Sequence, residues 1–396
     1  MKTVICIFGE SEADALENMI RAFFQQLSQM DYKVAFVGPI NSDMQMLQLF
    51  SQIEKLQPEF VVSWSGTYGN TTIEHRCVWE NLKCPFITVI ADSPAHKPPL
   101  HKQNSHFKAL LYSSNEHLDF RRQISASEQY PSNGLLAPAP VFCFPRKPIS
   151  RSINASPIFL KSRIDPRSII DRWDDAKNPP ETKVILFDLT SQLANSTRPA
   201  THSDIVKSVT TAIDNDWKND ETLELKLLLI SEIDLMLRAI RADQVAATLL
   251  KFPVKIIGQG WENYKLNGDE RGSIVHEANW LESDQHINES LFTINISPNT
   301  PMWHDRMQRA FSFNKICLSD YTNEQIKIIP ELQHCTFNSD AESLEHICNE
   351  LIHNQSNITD LGAAISDAFY EQHPTESWVS QLSKTAQAIK NNNNIV

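Results

Sequence analysis

A histidine, an arginine and several hydroxyl and amide side chains follow one apolar run, residues 291–296. Residues 297–300 (Ser-Pro-Asn-Thr) supply helix-capping oxygens, and Pro301 suits the first position of a helix. A helix that starts there would direct its free N–H groups and positive dipole end out of a sheet edge, where phosphate binds readily. His304 and Arg306 would add donors. The segment predicts an anion site, with a surface histidine and an ion-paired arginine as the alternative.

Asp92 and His96 follow another apolar run, PFITVI, in the first half of the chain. A carboxylate or an imidazole can accept a proton from a hydroxyl group when its pKa suits neutral pH. Asp92 is our first candidate for such a base, His96 the second, and Glu10, after the first apolar run, the third. The alternative is that Asp92 caps the following turn, as Asp before Ser-Pro often does.

Two further motifs carry weaker signals. The loop 65–71 holds two of the ten glycines between a strand and a helix, but it matches neither a Walker loop nor G-x-G-x-x-G. It is either a phosphate cradle, part of a substrate site or an ordinary tight turn. Asp214-Asn215-Asp216 resembles a metal-binding Asp-x-Asp motif. Because it lies at a predicted helix end and away from any strand end, we interpret it as a solvated turn and predict no metal site.

The composition excludes several classes of protein. The 396 residues predict two or three domains, and the net charge of −12 argues against a chain that binds nucleic acid or an anionic membrane. No apolar run approaches the roughly 20 residues of a membrane span, and the first apolar run is interpreted as a strand and not as a signal peptide. Seven cysteines without a Cys-x-x-Cys pattern indicate reduced thiols and a cytoplasmic protein.

Strands and helices alternate in the first half of the chain. Near-continuous apolar runs predict strands at 3–8, 33–37, 60–64 and 86–90, with weaker ones near 109–112 and 134–136. Helical spacing predicts helices over 12–29, 44–56 and 71–82. Continuous apolar strands are typical of a parallel sheet covered on both faces. The first half is therefore predicted to be a doubly wound α/β domain.

Eight prolines lie between residues 138 and 183, and we interpret this stretch as a linker. Within 146–172, two acidic residues face seven basic ones, namely Arg146, Lys147, Arg151, Lys161, Arg163, Arg167 and Arg172. They form either a solvated crossover or a basic lip beside an anionic ligand.

The alternation restarts after the linker. Strands are predicted at 184–189, 225–230, 254–258, 273–276, 291–296 and 315–320, and helices at 201–215, 232–250, 284–290 and from Pro301. The predicted fold class is α/β, with two doubly wound, Rossmann-like domains that face each other across a cleft. The predicted boundaries are 1–145 for the first domain, 146–182 for the linker, 183–375 for the second domain and 376–396 for a last helix with a disordered tail from Asn391.

Four short motifs occur in order along the second half of the chain. They are Gly258-Gln259-Gly260-Trp261-Glu262, Asn295-x-Ser297-Pro298-Asn299, His304-x-Arg306 before the strand that ends in Asp320, and Glu371-Gln372-His373-Pro374-Thr375. Together they resemble the donor-binding domain of the spore-maturation, CgeB-like glycosyltransferases. In the first half, Ala91-Asp92-Ser93-Pro94 is similar to the aspartate-proline loop of the same family. The resemblance covers roughly residues 225–385 and this one loop.

The resemblance implies a GT-B glycosyltransferase, whose C-terminal domain holds a nucleotide-sugar donor and whose N-terminal domain holds an acceptor. It implies no bound metal and no cofactor besides the nucleotide-sugar, since a helix dipole and basic side chains stabilise the departing phosphate. The matched donor-binding positions are Gly258, Trp261, Asn295, Ser297, Asn299, His304 and Arg306. His304 and Arg306 would contact the donor phosphates, and the turn 258–261 would lie beside the nucleoside. Asp92, or His96 in its place, would be the base of an inverting enzyme; in a retaining enzyme Asp92 becomes an acceptor ligand.

The chain departs from the family at three places. Arg309-Ala310 replaces a glutamate-alanine pair, Asn314 replaces a glycine, and Leu291 stands where a basic residue is common. These departures leave the donor open and allow a weakened enzyme. The alternatives are therefore a non-catalytic nucleotide- or sugar-binding protein and a nucleotide-sugar epimerase of the same architecture, although we identify no second acid-base group for an epimerase.

Overall fold

The computed structural model describes residues 2–8, 13–40, 42–149, 156–175, 179–196, 198–276, 278–338 and 340–393. The chain divides into two compact units. Unit 1 comprises Met1–Pro145, Ile213–Leu228 and His373–Val396, and unit 2 comprises Arg146–Ala212 and Leu229–Gln372. Each unit is thus built from segments that are distant in the sequence.

Unit 1 contains a parallel sheet and a short hairpin. In chain order its strands are β1 (Lys2–Ile7), β2 (Tyr32–Val37), β3 (Phe60–Trp64), β4 (Thr72–Ile73), β5 (Arg76–Cys77), β6 (Phe86–Ile90), β7 (Lys108–Tyr112) and β8 (Leu135–Pro138). The six-stranded sheet has the order β2-β1-β3-β6-β7-β8, while β4 and β5 pair antiparallel. Every residue of β6 and β7 is buried, as expected for strands covered on both faces.

The helices of the first 145 residues are α1 (Ala13–Phe24), α2 (Asp43–Leu56), α3 (Val78–Leu82) and α4 (Asn115–Ile124). Because β2 and β3 lie on opposite sides of β1, the chain winds in both directions from the first strand. The predicted doubly wound arrangement and all six predicted strands of this half are confirmed.

The helix predicted over 71–82 is wrong for its first part. Residues 72–77 form the β4–β5 hairpin, and only α3 is helical. Glu74 and His75 have φ angles of 49° and 65°. Two successive residues with positive φ make the tight turn of a hairpin and cannot continue a right-handed helix.

Unit 2 is built on a five-stranded parallel sheet. Its strands are β9 (Ile158–Leu160), β10 (Lys255–Ile257), β11 (Ser273–Val275), β12 (Thr293–Ile294) and β13 (Cys317–Leu318). Their order in the sheet is β11-β10-β9-β12-β13. The strand β9, which lies within the range 146–182 predicted as a linker, is the middle strand and pairs with both β10 and β12.

The helices of unit 2 are α5 (Pro166–Trp173), α6 (Pro180–Ala194), α7 (His202–Ala212), α8 (Asp220–Leu249, of which Leu229–Leu249 belongs to this unit), α9 (Trp280–Glu289), α10 (Asp305–Ser312), α11 (Asn323–Ile328), α12 (Ala341–His353) and α13 (Ile358–Gln372). The strands predicted at 184–189 and 225–230 are wrong, because these runs lie inside α6 and α8. A short apolar run does not by itself distinguish a strand from a buried helix segment. Pro180 in the first turn of α6, and Asp220 and Glu221 in the first turn of α8, are helix-start signals that outweigh the apolar runs.

The last helix, α14 (Thr375–Asn392), belongs to unit 1. Its Trp378 packs edge-on against Phe24, with 6.2 Å between the ring centroids. The predicted last helix is confirmed but runs two residues into the predicted tail, whose final residues 394–396 lie outside the described part of the chain. Among the helices of the described residues, none combines the length and apolar character that a membrane crossing needs.

Candidate functional site

The strand order of unit 2 locates a ligand site. From the central strand β9 the chain proceeds to β10 on one side and later to β12 on the other, so the winding reverses between β9 and β12. In open α/β sheets, ligands bind in the crevice outside the carboxyl ends of the strands at such a switch point. Lys161 follows β9 directly, and Asn295 follows β12. The crevice therefore lies beside these two residues.

Two cations at the crevice lack a direct ion-pair partner in the described part of the chain, although the Asp305 carboxylate attracts both through space. Within the described ranges, neither the Lys161 ammonium nor the Arg306 guanidinium forms a hydrogen bond or ion pair, and both side chains are only partly exposed. Burial, with the charges of Arg306 and Arg238 adding to it, lowers the pKa of Lys161 to about 7. Burial likewise lowers the pKa of Arg306. An anion placed between such groups would relieve both their desolvation and their mutual repulsion.

The remaining cations near Lys161 are paired. Arg238 lies 2.7 Å from the Asp234 carboxylate, and Arg241 lies 2.6 Å from Asp320. Asp320 also accepts a hydrogen bond from the Ser297 backbone N–H at 3.0 Å. These pairs border the crevice and neutralise one another, whereas among the described residues Lys161 and Arg306 have only the through-space attraction of Asp305.

The described cations of the basic stretch 146–172 also divide into ion-paired residues and residues without an ion-pair partner. Four of its cations are in ion pairs: Arg146 with Asp367, Lys147 with Asp284, Arg163 with Asp243 and Arg172 with Glu232. Arg167 is exposed to solvent, and Arg151 lies outside the described residues. Lys161 alone of the described members combines partial burial with the lack of a partner. In the sequence Lys161 is one of seven members of a possible basic lip, and its position directly after a short apolar strand is the signal that distinguishes it.

The helix predicted to begin at Pro301 begins instead at Asp305, so this prediction is wrong. The carbonyl groups of Met302 and Trp303, which a longer helix would bond internally, accept hydrogen bonds from the side chains of Gln325 and Gln308 at 3.2 and 2.8 Å. The residues between β12 and α10 are therefore irregular, and α10 has a different first turn from the one expected.

His304 is the N-cap of α10. Its Nδ1 lies 3.3 Å from the Arg306 backbone nitrogen and 2.7 Å from the Asp305 carboxylate. Burial lowers the pKa of His304, so the ring is neutral at neutral pH. Nδ1 cannot accept the Arg306 N–H and donate to Asp305 at the same time. When it accepts the N–H as the helix cap, Nε2 carries the proton and is the ring nitrogen left to donate to a ligand. The predicted donors His304 and Arg306 thus lie together at the start of α10, as part of the crevice wall.

The predicted turn after β10 holds the backbone of Lys161. The φ angle of Gly258 is 155°, and a Cβ there would overlap the Lys161 carbonyl oxygen. Trp261 is 1% exposed, and its Nε1 donates to that same oxygen at 2.6 Å. A ring so buried is not available to stack on a nucleobase. Both residues therefore position Lys161 in this structure.

The three predicted residues after β12 mainly build the crevice wall. Asn295 is fully buried and donates to the Ser319 hydroxyl at 3.1 Å. The side-chain amide of Asn299 donates to the Asp234 carboxylate at 2.9 Å. The backbone carbonyl of Asn299 accepts from the backbone N–H of His202. Ser297 is half-buried and is the one of the three whose side chain reaches the surface.

Two of the departures from the family pattern, Arg309 and Asn314, have structural roles of their own, and the charge of Arg309 is among those that lower the pKa of Arg306. Arg309 is 5% exposed, pairs with Asp284 at 2.7 Å and stacks on the Trp280 ring with 3.8 Å to its centroid. It connects α10 to α9. Asn314 has a φ angle of 52°, the left-handed conformation that a glycine would adopt there. Neither substitution removes a group from the candidate site.

In unit 1, Asp92 lies after β6 at the carboxyl edge of the sheet. Ser93, and not Asp92, caps the following turn, since its hydroxyl accepts from the Ala95 N–H at 3.2 Å and its carbonyl from the His96 N–H at 3.0 Å. The capping alternative for Asp92 is therefore wrong. The half-buried Asp92 carboxylate has no hydrogen-bond partner among the described residues. Its neighbour His96 is also half-buried, and Glu10 lies outside the described part of the chain.

The two weaker motifs have structural roles. Asn70 in the loop 65–71 accepts a hydrogen bond at 2.7 Å from Lys108, a fully buried lysine of β7. Asp214 pairs with Lys226, whose side chain is 0% exposed. Throughout the ranges that the structure describes, no three His, Cys, Asp or Glu side chains are grouped so that they could hold a metal ion.

Comparisons with known proteins bear on the fold. No protein-family model matches the chain, and no curated protein matches it. The structure of Anabaena HepE in complex with UDP-glucose is 9% identical, with a TM-score of 0.52 over 98% of this chain and 100% of that one. An alpha-glucosyltransferase in complex with UDP and a 13-mer DNA containing a central A:G mismatch is 10% identical, with a TM-score of 0.51 over 97% and 99%.

At such identities the likeness shows the fold. Both sheets of this chain are parallel and doubly wound, and the similar chains match along almost its whole length. The chain has the GT-B fold, with two Rossmann-like α/β domains.

Proposed function

We propose that this chain is a glycosyltransferase that moves a sugar from a nucleotide-sugar donor to an acceptor. The observation that carries the proposal is the pair of partly buried, unpartnered cations Lys161 and Arg306 at the switch point of unit 2. A nucleotide-sugar carries an anionic diphosphate that matches this charge. Two proteins of the same fold are described in complex with UDP-glucose and with UDP.

Lys161, Arg306 and Nε2 of His304 would hold the donor diphosphate. As the bond to the sugar breaks, negative charge develops on the departing nucleotide, and fixed cations in a partly dry crevice stabilise it without a metal ion. Gly258 and Trp261 would keep Lys161 in place. Asn295, Ser297 and Asn299 would shape the wall on the other side of β9. The nucleotide-sugar is then a co-substrate, and no other cofactor is proposed.

Asp92 is the proposed base on unit 1. Its carboxylate is half-buried and has no hydrogen-bond partner within the described ranges, so it is available to accept the proton of an acceptor hydroxyl. This applies to an inverting enzyme, with His96 as the second choice. In a retaining enzyme Asp92 would instead bind the acceptor.

The finer predictions extend this proposal. The motifs that resemble the CgeB-like family would place the chain in that branch of GT-B enzymes. All seven cysteines are buried free thiols, which supports a reducing, cytoplasmic location. The acceptor is a glycan, a protein or a small molecule, and nucleic acid is not proposed because the chain carries a net charge of −12.

The test is to incubate the purified protein with a panel of nucleotide-sugars and to follow nucleotide release with and without acceptors. Release that needs an acceptor supports transfer, whereas tight binding without turnover indicates a non-catalytic binding protein. Lack of binding to any nucleotide or nucleotide-sugar would contradict both.

The proposed base has a separate test. Asp92→Asn should lower turnover by about 10²–10⁴-fold in an inverting enzyme while the dissociation constant of UDP stays unchanged. Asp119→Asn, an exposed carboxylate of α4 in the same unit, is the matched control. Equal loss in both variants would remove Asp92 from the proposed chemistry.

A further inference from the structure

A cavity of about 630 Å³ lies in unit 2, and no step proposed above uses it. Its walls come from the connection between α6 and α7, from α8, and from the segments that follow β13. Arg241 and Asp320, which border the Lys161 crevice, also line this cavity. Its volume falls within the range of about 300–1,000 Å³ that is usual for small-molecule sites. We refer to it below as the side cavity.

Both arginines that line the side cavity are in ion pairs, and Asp340 adds a negative charge. Arg241 is paired with Asp320 at 2.6 Å, and Arg198 is paired with Asp204 at 2.8 Å. Asp340 caps α12 by accepting the Ser343 N–H at 2.7 Å. An anionic ligand would have to compete with these carboxylates for the arginines, unlike at Lys161. The side cavity therefore favours an uncharged ligand.

Besides Asn299, whose amide donates to Asp234, three carboxamide side chains line the same cavity, namely those of Gln244, Asn323 and Asn338. All three residues are exposed, and in the described ranges none of their side-chain amides forms a hydrogen bond. Each carboxamide offers two N–H donors and one carbonyl acceptor. Such groups match a ligand that presents many neutral hydroxyls, each of which is both a donor and an acceptor.

Apolar side chains complete the lining. Leu193, Leu237, Ile240 and Phe337 contribute to the walls. The C–H faces of sugar rings pack against such surfaces, while their hydroxyls bind polar groups at the edges. A polyol without ring faces would not pack against the apolar side chains. An apolar ligand without hydroxyls would not bond to the carboxamides.

We propose that the side cavity binds a neutral carbohydrate. The binding itself does not rest on the donor site. If the proposed function holds, the cavity would bind a second stretch of an acceptor or product glycan on the unit that holds the donor, and would thereby prolong its stay on the enzyme.

The experiment uses the full-length protein and saturation-transfer NMR, followed by titration. The neutral probes are maltotetraose, cellotetraose and chitotetraose, and glucose 6-phosphate is the anionic comparison. Ile240→Trp fills the cavity, and Gln244→Leu removes one carboxamide at an exposed position that should not affect folding. Gln285→Leu, an exposed glutamine on α9 outside the cavity, is the matched control.

We expect at least one neutral probe to bind, with affinity reduced at least tenfold by Ile240→Trp and several-fold by Gln244→Leu, and unchanged by Gln285→Leu. The proposal would be overturned if none of the three neutral probes bound. It would also be overturned if both cavity variants bound the probes as tightly as the wild-type protein. Binding of glucose 6-phosphate that Ile240→Trp removes would overturn it as well. UDP binding, measured in parallel on Lys161→Ala and Ile240→Trp, reports separately on the donor site.

Discussion

Two buried lysines, one in each unit, have opposite surroundings. Burial lowers the pKa of Lys108 and of Lys161 to about 7 in each case. Lys108 is fully buried, and its ammonium donates to Asn70 Oδ1 and to the Lys102 carbonyl, both at 2.7 Å. Lys161 is partly exposed and has no such acceptor among the described residues, while Arg306 adds a second positive charge beside it.

The difference shows that a lowered pKa does not by itself identify a ligand site. Lys108 satisfies its hydrogen bonds within the fold and connects the loop 65–71 to β7, so its role is structural. Lys161 has a desolvated charge that the protein does not satisfy, and a ligand can supply what is missing. The two roles are distinguished by whether the ammonium group has hydrogen-bond acceptors within the fold.

The largest expected effect that tests this comparison is the loss of folding stability on replacing Lys108. Lys108→Ala removes a buried side chain and leaves two oxygens without their donor, and we expect it to lower the free energy of unfolding by about 2–4 kcal/mol. Urea denaturation measures this. Lys161→Ala should change stability by less than about 1 kcal/mol, because no hydrogen bond is lost. If both variants lose the same stability, the comparison fails.

Much of unit 1 is predictable from sequence because its strands are continuous apolar runs between polar turns. The errors lie where a local signal competes with tertiary context. Residues 184–189 and 225–230 have strand-like composition but lie in helices, while the true central strand β9 is only three residues long and lies among prolines. Short buried strands carry little periodic signal, so the second sheet could be predicted only in part.

The candidate site is predictable in its location and less so in its members. A histidine and an arginine near a strand end indicate the same region in which the structure places Lys161. The predicted start of α10 is wrong because the side chains of Gln308, on α10 itself, and of Gln325, on α11, bond the carbonyls that Pro301 would bring into a helix. The sequence does not distinguish Lys161 from the other six cations of 146–172, because its lack of an ion-pair partner among the described residues is known only from the folded structure.

The second prediction concerns UDP affinity. Lys161→Ala should weaken binding by about 1.5–3 kcal/mol, the range for a hydrogen bond to a charged group, and Arg306→Ala by a similar amount. Isothermal titration calorimetry measures both. Lys251→Ala is the control, because this lysine is exposed in the same unit and pairs with Glu345. An unchanged dissociation constant in both crevice variants would remove the crevice from the donor site.

The third prediction is a pH dependence of the same binding. The pKa of free Lys161 is lowered to about 7, and a bound phosphate favours the ammonium, so the pKa rises in the complex. Affinity should therefore fall as pH rises above 7, by up to about tenfold per unit. The UDP phosphate is fully ionised over this range, since its last pKa is about 6. Lys161→Ala should show a flat profile between pH 7 and 9, and a wild-type profile that is equally flat would contradict the role of this lysine.

The smallest expected effect tests how Lys161 is positioned. Trp261→Phe keeps a buried ring against Tyr264 but removes the Nε1 hydrogen bond to the Lys161 carbonyl, so stability should fall by about 0.5–1.5 kcal/mol. UDP affinity should weaken by less than in Lys161→Ala, since the ammonium remains. Trp378→Phe is the matched control: that indole is equally buried, but its Nε1 has no acceptor among the described residues. Because the control loses packing and no hydrogen bond, only Trp261→Phe should change UDP binding. If Trp261→Phe leaves UDP affinity as unchanged as the control does, the Nε1 hydrogen bond does not position Lys161.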